Sequence, residues 1–296
     1  VIAKLEMLIA LAQERHFGRA AESLNITQPT LSSGIKQLEA QLGVKLVQRG
    51  ARFRGLTPEG QRALEMARSI VGETKRLRDE MRYSTHGPSG QIRLAVIPTA
   101  LTWGARLAAR CTEAHPGLRF SVRAASSQEI LHMLEALECD AGITYLDNEP
   151  LGRAATQALY RETYTLVCHA DDPLAGRASL GWDELAGQRL CLLTPDMQNR
   201  RIINRNFMEA GLDMVPALEA SSTVVLVATV RQGGWATILP TDLAGFLAAS
   251  PELRVVPLTG GHAAHAVGLV APAQEPQTPT LRALFDAAAK LGGGSG

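Results

Sequence analysis

Aromatic residues are scarce, 4% of 296, so the interior must be filled by Leu, Val, Ile and Ala and not by packed rings. Cysteine is scarce too. Cys111, Cys139, Cys168 and Cys191 include no C-x-x-C pair, and no histidine stands at zinc-finger spacing to any of them. A zinc-finger-type site is thereby excluded, and buried thiols of a reducing compartment are expected. A thiol-sensing pair, Cys111 and Cys139 foremost, is the alternative. No apolar run reaches the ~18 residues of a membrane span; the longest candidate, Thr223–Val230, stops at Arg231. Val1–Ala12 is helical in pattern, carries Lys4 and Glu6 and lacks a cleavage-type end, so it does not read as a signal peptide. A cytoplasmic protein with no membrane partner is expected. The sequence also lacks G-x-S-x-G, P-loop, G-x-G-x-x-G and H-E-x-x-H motifs, and its seven histidines are scattered. No enzyme activity, metal or cofactor is therefore expected.

What is present is uneven in charge. Residues 1–90 carry 14 Lys/Arg against 9 Asp/Glu, while the remainder carries 16 against 20. A basic head on a mildly acidic body suits a polyanion-binding module joined to something else. Within the head, Leu5, Leu8, Ile9 and Ala12 sit at helical spacing, and Phe17, Ala20, Ala21 and Leu24 make a shorter helix. Thr27 can cap a third helix with Pro29 in its first turn, and Gly43 can end it. The buried stripe of that helix is Leu31, Ile35, Leu38 and Leu42. Between the stripe residues lie Gln28, Thr30, Ser32, Ser33, Lys36 and Gln37, short polar side chains that let a helix approach base edges closely. A basic loop follows, with Arg49, Arg52 and Arg54 placed to lie along phosphates.

Pro58–Thr85 reads as one long helix of roughly 42 Å. Ala63, Ala67, Ile70, Thr74, Leu77 and Met81 recur at alternating steps of four and three, a heptad seam that predicts pairing with a second chain. After His86-Gly87-Pro88-Ser89-Gly90 the pattern changes to alternating strands and helices, which predicts a parallel sheet with helices on both faces. Two halves are expected, the chain crossing near Tyr160–His169 and returning near Ala264–Ala271. The terminal Gly-Gly-Gly-Ser-Gly reads as linker.

Several of these segments together resemble the LysR-type transcriptional regulators: Phe17-Gly18-Arg19-Ala20-Ala21-Glu22-Ser23-Leu24, Thr27-Gln28-Pro29-Thr30-Leu31-Ser32, Ile35-Lys36-Gln37-Leu38-Glu39, Leu42-Gly43 and Leu56-Thr57-Pro58-Glu59-Gly60. The likeness continues in Leu137–Ile143 and in Gly233-Gly234-Trp235-Ala236-Thr237-Ile238-Leu239-Pro240. The resemblance implies an α/β multidomain chain with a winged helix-turn-helix, a linker helix, and two α/β subdomains of periplasmic-binding-protein type, assembled as a homodimer or homotetramer. The expected division is 1–57 for the DNA-binding domain and 58–87 for the linker helix. Residues 91–162 with 267–291 then form the first effector subdomain, and 163–266 the second. Two places depart from the family pattern. Ser33-Gly34 stands where a longer polar or basic residue is usual, with a mid-helix glycine costing ~1 kcal/mol against alanine. Leu46-Val47-Gln48-Arg49 lacks the usual aromatic second residue.

The expected DNA contacts are Arg19, Thr27, Gln28, Pro29, Thr30, Ser32, Ser33, Lys36, Arg49, Arg52 and Arg54, on double-stranded DNA carrying an imperfect inverted repeat. The expected effector contacts lie beyond strand ends, where helices begin: Pro98, Thr99, Ala100, Leu101, Thr102, Ser126, Thr144, Met197, Gln198 and Asn199. Without an arginine clamp, these favour a small, singly charged or polar effector such as a carboxylate. RNA polymerase is a further candidate partner. Residues 194–204 also resemble, faintly, regulators found beside formate dehydrogenase operons.

Overall fold

The computed structural model describes residues 1–48, 53–147, 150–261, 264–273 and 277–293. The chain divides into two compact units, the first Val1–Ser89 with Glu135–Glu138 grouped to it, the second Gly90–Leu134 and the chain from Cys139 onward.

The first unit is built from α1 (Ile2–Glu14), α2 (Phe17–Ser23), α3 (Gln28–Leu42) and α4 (Pro58–His86). His16 caps α2 through Nδ1, which accepts the N–H groups of Gly18 at 3.1 Å and Arg19 at 3.3 Å. Thr27 caps α3 and Thr57 caps α4, each followed by Pro in the first turn. One core joins Leu5, Leu8 and Leu11 of α1, Ala20 and Ala21 of α2, Leu31, Ile35 and Leu38 of α3, Leu46, and Leu64 and Ala67 of α4. Gly34 is buried at the crossing of α1 and α3, where an added Cβ would lie 2.2 Å from Met7 Sδ. The glycine departure from the family pattern is thus a packing feature. A bridge between Val47 and Leu56 closes the wing. The seam of α4 splits: Leu64 and Ala67 enter this core, whereas Ile70, Leu77 and Met81 stay exposed.

The second unit holds β1 (Gly90–Val96), α5 (Leu101–Ala114), β2 (Leu118–Ala124), α6 (Ser127–Glu135), β3 (Ala141–Tyr145), β4 (Ala154–Glu162) and β5 (Tyr164–His169). It continues with β6 (Leu180–Gly181), β7 (Cys191–Leu193), α7 (Gln198–Glu209), β8 (Leu218–Ala220), α8 (Thr223–Val230), β9 (Ala236–Pro240), α9 (Thr241–Leu247), β10 (Leu253–Thr259), β11 (His265–Pro272) and α10 (Pro279–Gly292). One sheet has the order β2-β1-β3-β11-β4, a second β6-β10-β5-β9, and β7 pairs with β8. Strand β1 runs parallel to β2 and β3, but β11 is antiparallel to both β3 and β4, and β5 is antiparallel to β9 and β10.

The sheets are therefore mixed, which corrects the expected parallel arrangement. The antiparallel members are the strands that carry the chain from one sheet to the other. Strand β4 in the first sheet and β5 in the second are separated by Thr163 alone, and β10 returns to β11. Strand β4 was not legible, because its burial alternates imperfectly. Gly292 belongs to the last turn of α10 and not to a linker; a Cβ there would meet the carbonyl oxygen of Ala158 at 2.6 Å.

Candidate DNA-reading surface and effector cleft

Helix α3 presents Gln28, Pro29, Thr30, Ser33 and Lys36 to solvent, with Ser32 half-buried. Thr27 Oγ1 accepts the Thr30 N–H at 3.4 Å and lies 2.9 Å from Thr30 Oγ1, so both threonines shape the helix start. Ser33 Oγ accepts from Gln37 Nε2 at 3.3 Å. Arg19 is exposed on α2, its Nε 3.3 Å from the Glu14 carboxylate and its Nη2 donating to the Glu14 carbonyl at 2.6 Å. Arg54 is exposed on the far arm of the wing. Arg49 and Arg52 lie outside the described residues.

The wing is held by a residue to which sequence reasoning gave no role of its own. Glu39, buried on α3, accepts the N–H groups of Leu46 at 2.9 Å and Val47 at 3.3 Å, and pairs with Lys45 Nζ at 2.8 Å. Burial alone would raise its pKa. The Lys45 ammonium and the two backbone N–H groups outweigh burial and hold the carboxyl below its ordinary value. Gly60 at the base of α4 meets the same segment: an added Cβ would lie 2.0 Å from the Leu46 carbonyl oxygen. The Leu56–Gly60 motif therefore exists so that the long helix can start against the wing backbone.

In the second unit a narrow cleft is lined by Ile97, Pro98, Thr99, Ser126, Ser127, Tyr145, Leu193, Met197, Gln198 and Asn199. Six of the expected contacts thus come together: Pro98, Thr99, Ser126, Met197, Gln198 and Asn199. Four do not line it. Ala100 is fully buried, as is Thr144 on β3. Leu101 packs partly against the core. Thr102 on α5 is 3.2 Å from Asp242 Oδ2 of α9, and Arg106 pairs with the same carboxylate at 3.1 Å. These two contacts hold α5 to α9.

The polar groups of the cleft are unevenly satisfied. Ser126 and Glu129 cap α6 reciprocally, Ser126 N–H to Oε2 at 2.8 Å and Glu129 N–H to Ser126 Oγ at 3.3 Å. Helix α7 has no side-chain cap at Met197. Its positive end is therefore open to a ligand's acceptor groups. Thr99 Oγ1, Ser127 Oγ and both amide atoms of Asn199 are buried and meet no partner at hydrogen-bond geometry, as does Thr144 Oγ1 beneath them. Such atoms cost free energy unless something fills their bonding capacity. Arg200, the buried cation of α7, is committed: Nη1 donates to Leu193 O and Glu219 Oε1, both at 2.7 Å, and Nε to Asn204 at 2.8 Å. None of the lining side chains is a Lys or Arg.

Tyr145 and Glu162 were missed by sequence reasoning. Tyr145 lines the cleft and donates to Glu162 Oε1 at 2.6 Å; Tyr164 donates to the same oxygen at 2.6 Å. Glu162 ends β4 and is fully buried. Burial raises its pKa to about 7, against the opposing effect of the tyrosine hydroxyls. Asn199 and Tyr160 also favour the ionised form without meeting the carboxyl at hydrogen-bond geometry. Only the position of Glu162 at the crossover strand could have signalled it.

A winged helix-turn-helix head joined to a two-sheet α/β unit with a polar interlobe cleft defines a ligand-responsive DNA-binding regulator. The family comparisons agree. Residues 2–61 match the bacterial regulatory helix-turn-helix protein, lysR family, and residues 85–292 match the LysR substrate binding domain. The chain belongs to the LysR family of transcriptional regulators. It is 31% identical over 254 residues to the DNA-binding transcriptional dual regulator OxyR of Escherichia coli (strain K12), covering 86% of this chain and 81% of that one. It is 30% identical over 241 residues to the hydrogen peroxide-inducible genes activator of Dickeya chrysanthemi, covering 81% and 79%. The fold is similar to that of a full-length OxyR variant from Pseudomonas aeruginosa, with TM-score 0.74 and 24% identity over 98% of this chain and 97% of that one. It is also similar to full-length CbnR complexed with its target DNA, with TM-score 0.64 and 21% identity over 98% and 99%. The comparisons lend no support to the formate dehydrogenase likeness of residues 194–204. Among the described residues no helix is long and apolar enough to cross a membrane.

Proposed function

We propose that this protein is a sequence-specific transcription regulator controlled by a small, singly charged or polar effector, a carboxylate foremost, held in the cleft between Thr99, Ser127, Tyr145 and Asn199. The observation that carries the effector reading is the set of buried, unsatisfied polar atoms facing an uncapped helix start. The division into 1–57, 58–87, 91–162 with 267–291, and 163–266 remains the working scheme. DNA is its partner, so it works in the cytoplasm as a regulator and not as an enzyme. The exposed Ile70, Leu77 and Met81 of α4 supply a surface for a second copy, as a dimer or a tetramer, and two heads then read an inverted repeat. RNA polymerase is the further partner through which such a regulator acts.

The relatives' names favour a second reading, thiol-based sensing of peroxide. A sensing thiol must be exposed and readily ionised. Here all four cysteines are buried, and burial pushes the thiols of Cys111, Cys168 and Cys191 up to about 11. Neither Cys111 nor Cys139, the pair singled out earlier, lines the cleft. A small-molecule effector is therefore the better reading.

Fluorescence-anisotropy titration against DNA from the protein's own upstream region, over a salt series and beside scrambled DNA, tests the regulator reading. Tighter binding to the native site with a steep salt slope is expected. Gln28→Ala is expected to weaken specific binding by about 1–3 kcal/mol and to leave scrambled-DNA binding nearly unchanged. Equal loss on both DNAs removes Gln28 from base reading.

A further inference from the structure

Among the described residues the cleft has no Lys or Arg in its lining, yet a buried carboxyl lies one hydrogen bond beneath it. Tyr145 is the link. It lines the cleft, and its hydroxyl donates to Glu162 Oε1 at 2.6 Å. While Glu162 is ionised, that O–H is bound to the carboxylate and is not offered to a guest. An anion entering the cleft would also meet the buried negative charge at close range, where low polarity strengthens repulsion. We propose that the cleft takes up a small monocarboxylate together with one proton, Glu162 accepting the proton and Tyr145 turning its hydroxyl to the guest. This rests on the small-anion reading of the same cleft.

The bonds balance without another reactant. The Glu162 carboxylate takes one proton from water and becomes a carboxylic acid. The new O–H donates to the Tyr145 oxygen, and the Tyr145 O–H leaves the carboxylate and donates to the guest. Glu162 Oε1, which lies 2.6 Å from the Tyr145 oxygen, carries that proton, and the Tyr164 hydroxyl goes on donating to the same oxygen.

The described groups that favour ionised Glu162 are neutral hydroxyl and amide donors, and burial outweighs them. Tyr145 faces it from β3, Tyr160 from its own strand, Tyr164 from β5 and the Asn199 amide from α7. On β11, His265 is its register partner, with Nδ1 3.5 Å from Asp147. The neighbouring Arg161 reaches away to the Ala264 carbonyl at 2.6 Å. Asp242 and Arg106 act on Tyr160 with opposite signs. Burial is the dominant influence and leaves the acid titrating at about 7, where a modest change in its surroundings decides its state.

Acetate binding to the full-length protein, followed by line broadening of the acetate methyl resonance at pH 6 and pH 8, tests the proposal. The wild type is expected to bind about tenfold more tightly at pH 6 than at pH 8, the ratio for a guest that binds only the protonated form of an acid titrating near 7. Glu162→Gln is expected to bind at both pH values with the wild-type pH 6 affinity. Tyr145→Phe, which keeps the acid but loses the donor, is expected to weaken acetate binding at pH 6 several-fold. Circular-dichroism melting confirms that each variant is folded. Equal affinity of the wild type at pH 6 and pH 8, or an undiminished pH dependence in folded Glu162→Gln, overturns proton uptake while leaving the anion reading intact. Acetate that fails to bind at pH 6 overturns the anion reading, and proton uptake falls with it.

Discussion

Among the described residues each unit buries one glutamate, and the two environments treat its charge in opposite ways. In the head, Glu39 is surrounded by donors: one ammonium and two backbone N–H groups, all fixed by the turn into the wing. In the effector unit, Glu162 meets tyrosine hydroxyls and, among the described residues, no paired cation, and one oxygen is left over. Burial acts on both in the same direction, so the number and charge of the donors decide the outcome. A carboxylate that must stay ionised is a structural tie. One poised near neutrality is a group whose state a ligand can change.

The contrast can be broken most severely at the tie's end of the molecule. Gly60→Ala drives a Cβ into backbone, the Leu46 carbonyl oxygen at 2.0 Å, with no flexible side chain to yield. We expect a loss of about 3 kcal/mol or more, confined to the head. Hydrogen–deuterium exchange should show it in peptides from residues 1–57 and spare those from the effector unit. Protection unchanged in the head would mean that the helix base is not held there.

The pH dependence sharpens the comparison. For Glu162 the folded value of about 7 lies above the ordinary 4.5, so the folded state keeps a proton that the unfolded chain has released. Effector-unit stability should therefore fall as pH rises from about 4.5 to about 7 and then level off, by up to about 3 kcal/mol. Glu162→Gln should flatten that slope. For Glu39 the folded value lies below the ordinary one. Its contribution is present above about pH 4.5 and is lost as pH falls through the lowered value. Removing it by Glu39→Gln should cost the head about 1–3 kcal/mol at neutral pH, since two N–H groups lose an ionised acceptor. Peptide-resolved exchange at pH 3, pH 5 and pH 7 separates the two units, the head responding between the lower pair and the effector unit between the upper pair. Slopes of the same sign in both would end the contrast.

The smallest effect is expected at Asp242, whose pairing with Arg106 and Thr102 joins α9 to α5. Both charged partners are substantially exposed, so Asp242→Asn should lower stability by less than about 1 kcal/mol. A thermal shift of more than a few degrees would show that this contact carries more than its exposure allows.

The head was legible because its information is local. Helix caps at Thr27 and Thr57, the stripe Leu31, Ile35 and Leu38, and the Gly43 stop all act within a few residues. The effector cleft was legible where helix starts mark it, at Pro98-Thr99, Ser126 and Met197-Gln198-Asn199. It was not legible where a site residue is set by sheet pairing. Tyr145 reads as one more core residue of β3, and Glu162 as the end of an unrecognised strand. Their meeting depends on β11 lying antiparallel between β3 and β4, a pairing that no local pattern encodes. Thr102 failed for a related reason: it stands at the right end of α5, but its hydroxyl is taken by a helix 140 residues away.

The close approach of Gly60 to Leu46 also has a mechanical side. It clamps one end of a 29-residue rod to the wing, and the rod is otherwise packed on the head by Leu64 and Ala67, with Ala63 and Val71 partly buried beside them. A rod of about 43 Å pivoting by about 5° at that clamp carries its free end through about 4 Å. The same arithmetic run backwards turns a displacement of a few ångströms at Gly87 into a small, geared rotation of the wing.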